Sequence, residues 1–73
     1  MIRLNNPNHV GLLLADIRRL TKLTQRALAA KSGTRQAQIS NFEVGATRPS
    51  IASLIRLADA LGYDLALIPR EDA

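Results

Sequence analysis

A chain of 73 residues is one small domain that buries only about 60% of its extended surface, so dimerisation is an expected source of added stability. Apolar residues make up 47% of it, which is a globular composition, and the absence of cysteine excludes both a disulfide framework and a thiolate metal site. A net charge of +4 points to a polyanionic partner, while the longest apolar run, Leu12 to Ala15, is too short for a membrane span or a secretory signal, so a soluble, cytoplasmic protein is expected.

Met1–Asn5 alternates Ile2 and Leu4 with Arg3 and Asn5, a pattern that fits an arm or a brief edge strand. Asn6-Pro7 reads as an N-cap followed by proline at the first helical position, and predicts a helix over 7–22. Val10, Leu13, Leu14, Ile17 and Leu20 fall at the three- and four-residue spacings of a core stripe. Gly11 stands out as a weak spot in that helix, costing about 1 kcal/mol relative to alanine. His9 has no second ligand nearby and reads as solvated or capping, so no metal site is expected.

Thr24 is an N-cap, and Ala27 to Lys31 are strong helix formers. Gly33 supplies the left-handed residue that ends this helix, and a second helix is predicted from Gln36 to Val44, stopped by Gly45. Two helices joined by a tight glycine turn are the signature of a helix-turn-helix. In the second helix Ile39 and Phe42 share one side, with Glu43 at its margin, while Ala37, Ser40 and Asn41 face outward, flanked by Gln36 and Gln38. That outward side is short, uncharged and rich in amides, where a solvated helix face would carry Lys and Glu. Amides suit bidentate pairing with adenine, and alanine fits against a thymine methyl.

Gly45 to Ser50 is a loop with Arg48 at its apex, placed for a phosphate. Ser50 caps a last helix running through Leu61, closed by Gly62. The period then changes. Tyr63, Leu65 and Leu67 alternate with Asp64, Ala66 and Ile68 up to Pro69, which reads as a strand. A lone strand cannot satisfy its backbone; Met1–Asn5 is the one internal candidate, and the same strand of a second subunit, antiparallel across a two-fold axis, is the more economical partner, the alternative being an apolar tail folded over its own helices.

The charge is not spread evenly. Arg18, Arg19, Lys22, Arg26, Lys31, Arg35 and Arg48 stand against Glu43 alone between residues 18 and 48, a net of +6 that coincides with the helix-turn-helix. Phe42 and Tyr63 are the only aromatic residues, which favours duplex DNA over single-stranded nucleic acid gripped by stacking. Arg18 lies beside the core stripe of the first helix and Glu43 at the inward margin of the second helix of the helix-turn-helix; they read either as a bidentate pair tying the two helices together or as ordinary surface charges. One histidine, no cysteine and no carboxylate pair set to share a pocket leave no basis for catalysis.

Thr24-Gln25, Leu28-Ala29, Gly33, Ile39-Ser40, Phe42-Glu43, Gly45, Arg48-Pro49-Ser50 and Leu57-Ala58-Asp59-Ala60-Leu61-Gly62 together resemble the Cro/repressor-like (XRE-type) helix-turn-helix domains. The resemblance implies an all-α bundle of four or five helices, here with a short C-terminal strand that pairs across a dimer. It also implies residue roles. Gln36, Ala37 and Asn41, joined by Gln38 and Ser40 on the same side, would meet base edges; Gln25 and Arg48, with Lys22 and Arg35, would meet phosphates. Some members pair an arginine with a glutamate at the positions of Arg18 and Glu43. Two departures are visible. Arg35 stands where Ser or Thr usually caps the recognition helix, so Thr34 becomes a candidate cap, and Ser32 and Thr34 replace residues that are often apolar.

Gln36 to Glu43, the Asn6-Pro7 opening and a strand after the last helix are similar to the HipB-like antitoxins. That likeness implies a homodimer on a pseudo-palindromic operator, no cofactor, and a HipA-like serine/threonine kinase toxin as partner. The competing expectations are a free-standing or phage-type repressor with no toxin, and a protein-interaction adaptor that does not bind DNA.

Overall fold

The structure is a computed structural model that describes residues 4–71. After a 3-10 turn at Pro7–His9 come four helices: α1 (Val10–Leu20), α2 (Gln25–Ser32), α3 (Gln36–Glu43) and α4 (Ile51–Leu61). Their ends follow from local chemistry. The side chains of Asn6, Thr24 and Ser50 accept backbone N–H bonds from Asn8, Ala27 and Ser53 at 2.9, 3.0 and 3.1 Å, satisfying donors that a helix start leaves free.

The helix expected over 7–22 is therefore shorter. It opens as a 3-10 turn and ends at Leu20, because Lys22 has a φ of 60° and cannot continue a right-handed helix. Leu23 N–H bonds Arg18 C=O and Lys22 N–H bonds Arg19 C=O, the paired closure of a Schellman motif with lysine in the place glycine usually takes. Leu20, expected in the core, lies on this departing turn and is 72% exposed. Val44 is likewise outside α3, which stops at Glu43.

One core joins all four helices: Val10, Leu14 and Ile17 from α1, Leu28 from α2, Ile39 and Phe42 from α3, and Leu57, Ala60 and Leu61 from α4. Leu28, Ile39 and Leu57 are essentially sealed, and each stabilises the fold by about 1.5–3 kcal/mol relative to an exposed side chain. α3 packs against α1 and α2, and α2 packs against α4, so α3 is braced by two helices.

Gly11 is not the weak spot expected from helix propensity. It is buried, and a Cβ built on it would lie 1.6 Å from the Phe42 carbonyl oxygen and 2.6 Å from the carbonyl carbon. The missing side chain is what lets α1 close onto α3.

Residues 63–70 form no strand within the single chain; Tyr63 N–H still closes α4 on the Ala58 C=O at 2.8 Å. Tyr63, Leu65, Leu67 and Ile68 are exposed. Residues 1–3 of the expected arm lie outside the described residues, and Leu4 and Asn5 have no regular structure.

Candidate nucleic-acid interface

Gly33 takes a φ of 69°, and Thr34 N–H returns to Ala29 C=O at 3.2 Å, so the chain reverses tightly between α2 and α3. Thr34 does not cap α3. It is buried, and its Oγ1 has no hydrogen-bond partner among the described residues. Arg35 occupies the cap position instead. A guanidinium has no acceptor to offer, so the cap is completed from inside the helix, where Gln38 Oε1 accepts from Arg35 N–H at 3.4 Å. Gln38, expected among the base-facing amides, thus has its carbonyl turned toward the helix start, and its amino group has no partner among the described residues.

Ile39, Phe42 and Glu43 are buried, while Gln36, Ala37, Gln38 and Asn41 are exposed and Ser40 is half-buried. The Asn41 carbonyl accepts from Ala46 N–H at 2.9 Å and Thr47 N–H at 3.4 Å, so the loop bearing Arg48 hangs from α3. Lys22, Arg26, Lys31, Arg35 and Arg48 are exposed and make no ion pair among the described residues. Exposed cations without an acidic partner are available to a polyanion. Arg19 pairs with Asp16 at 3.5 Å, but both side chains are more than 60% exposed and the pair adds little.

Behind this surface Arg18 Nε and Nη2 donate to Glu43 Oε2 and Oε1 at 2.7 and 2.9 Å, a bidentate pair. Arg18 Nη1 also donates to the Leu23 carbonyl at 2.9 Å, so one guanidinium fastens α3 and the α1–α2 turn together. Gln25 Nε2 donates to Glu43 Oε1 at 3.0 Å. Burial pushes the Glu43 carboxyl upward, but the hydrogen bonds from Arg18 and Gln25 and the charges of Arg18 and Arg19 outweigh it and hold it below the usual range. The bond to Glu43 raises the Arg18 guanidinium further.

Sequence reasoning placed Gln25 on a phosphate and missed its tie to Glu43. The tie leaves one amino hydrogen of Gln25 available. Among the described residues no group of three or more His, Cys, Asp or Glu side chains is set to hold a metal ion, and no helix is long and apolar enough to cross a membrane.

A helix, a left-handed glycine turn and a second helix with its outer side exposed define the helix-turn-helix class of protein. The helix-turn-helix family profile matches residues 14–68, and the chain belongs to that family, in its XRE-type branch. It is 36% identical over 63 residues to the uncharacterized HTH-type transcriptional regulator y4dL of Sinorhizobium fredii, covering 86% of this chain and 32% of that protein. It is 42% identical over 53 residues to y4dJ of the same organism, another uncharacterized HTH-type transcriptional regulator, covering 73% of this chain and 69% of that one. The chain thus spans about a third of the length of the first relative. Among solved structures it shares its fold with a HipB variant in complex with an O2 20-mer, at a TM-score of 0.80 and 24% identity over 97% of this chain and 99% of that one. The MDT protein gives the same TM-score and identity, with 97% and 100% covered.

Proposed function

We propose that the protein is a dimeric, sequence-specific duplex-DNA-binding repressor, and that it serves as the antitoxin of a HipBA-like pair, controlling its own operon and binding a HipA-like kinase toxin. The carrying observation is the exposed, uncharged amide side of α3, in a helix-turn-helix whose exposed cations have no acidic partner among the described residues and whose α3 is tied back by the Arg18–Glu43 pair. Two such helices from a symmetric dimer would enter successive major grooves roughly 34 Å apart and exclude polymerase. Gln36, Gln38 and Asn41, with Ala37 and Ser40 beside them, read base edges. Lys22, Gln25, Arg35 and Arg48 hold phosphates and set the register. The alternating 63–68 segment pairs with its symmetry mate, and the protein works in the cytoplasm on the nucleoid.

The antitoxin role is supported by the fold likeness to HipB over nearly the whole chain, tail included. A repressor without a toxin is the second reading, favoured by y4dL, in which the matching region is only a third of a longer regulator. Copurification of a kinase with the tagged protein separates the two. For DNA binding itself, the test is a footprint on the upstream region, followed by titration of Asn41→Ala. Loss of one bidentate amide lowers operator affinity by about 1–3 kcal/mol while non-specific affinity holds. No retention on that DNA at physiological salt overturns the proposal.

A further inference from the structure

Gly11 is 30 residues from the base-facing Asn41 and carries no chemistry of its own, yet α1 rests directly on the backbone of α3 there. A Cβ at position 11 would meet the Phe42 carbonyl oxygen at 1.6 Å, against an ordinary contact of 3.4–4 Å, and the Glu43 nitrogen at 3.4 Å. The obstacle is backbone, which cannot rotate away as a side chain would. Any side chain at 11 therefore has to part the two helices by well over an ångström.

We propose that Gly11 is a positioning residue for DNA reading: its missing side chain sets the depth at which α3 is presented. This rests on the DNA-binding reading above. Phe42 follows Asn41 in the chain, and Glu43 carries the ion pair to Arg18, so a shift at the Phe42 peptide moves the base-facing side chain with it. A bidentate amide bond works only over about 2.7–3.2 Å. Asn41 has a short side chain and cannot follow such a displacement. Lys22, Arg35 and Arg48 have long, flexible stems and can still reach phosphates. The consequence is separable: sequence discrimination falls and electrostatic binding remains.

The experiment compares Gly11→Ala with the unsubstituted protein, and with Leu57→Ala as an equally or more destabilised control whose cavity lies in the core. Each is titrated with operator DNA and with a scrambled duplex over a range of salt. Partial unfolding weakens both DNAs by one factor and leaves their ratio unchanged, as expected for Leu57→Ala. The expected result for Gly11→Ala is an operator-to-scrambled ratio reduced about tenfold or more, with the salt slope preserved. An unchanged ratio overturns the inference. Should Gly11→Ala alone be unfolded, it is repeated in a Thr34→Val background and compared with Thr34→Val alone; failure to fold there assigns Gly11 to folding and also overturns it. If the unsubstituted protein shows no preference for the operator, the DNA-reading function itself fails, which is a different outcome.

Discussion

Replacing Glu43 by glutamine tests how α3 is held. The substitution keeps the shape and removes the charge, so the Arg18 guanidinium faces an amide that can accept on one side but presents N–H groups to N–H groups on the other. An exposed pair would be worth at most about 1 kcal/mol. Here the two side chains retain only 13% and 6% of their exposure, and leaving one buried charge without its partner costs about 3–5 kcal/mol. A domain of 73 residues has roughly 4–11 kcal/mol in total, so Glu43→Gln loses about a quarter or more of its stability. Urea unfolding followed by circular dichroism measures the loss. The double change Arg18→Met with Glu43→Leu should recover most of it, since an apolar pair of similar volume carries no desolvation cost. The pH dependence gives an independent check. Glu43 is held below its unfolded value, so its contribution is complete above the ordinary glutamate pKa of about 4.3 and disappears as pH falls through the lower folded value. Glu43→Gln should lack that acid loss. A cost below about 1 kcal/mol, with an unchanged acid limb, refutes the reasoning.

Lys22→Gly relieves a left-handed lysine at the α1 closure and should stabilise by about 1 kcal/mol, raising Tm by roughly 4–8 °C in calorimetry, while lowering affinity for any duplex through the lost charge. Thr34→Val removes a buried hydroxyl without a partner and should stabilise by about 1 kcal/mol in urea unfolding. Arg48→Ala should weaken all DNA sequences alike and flatten the dependence of log K on log salt by about 0.9; a changed base preference would contradict its assignment to phosphate.

The parts of the fold that the sequence declares are those decided within a few residues. Thr24, Gly33, Ser50 and Gly62 place helix ends by local hydrogen bonding or left-handed backbone, and the amides of α3 stand out through spacing alone. What sequence reasoning missed depends on neighbours far away in the chain. Gly11 carries the usual helix penalty until α3 is laid against it. Leu20 fits the stripe, yet α1 leaves the core one turn before reaching it. Lys22 gives no hint of a left-handed backbone, because its place in the turn is fixed by the bonds that Arg18 and Arg19 accept. The Gln25–Glu43 tie needs the relative position of two helices, which periodicity does not supply.

The Gly33 reversal has a stereochemical consequence. Its φ is 69°, and a Cβ of ordinary handedness there would touch nothing within 4 Å. What the position rejects is therefore L-chirality in the backbone, not volume. A D-alanine installed by chemical synthesis matches that dihedral and narrows the conformations open to the unfolded chain, firming the joint between the two helices by about 0.4–1 kcal/mol without adding a contact. The bend that aims α3 is a mirror-image residue in all but name.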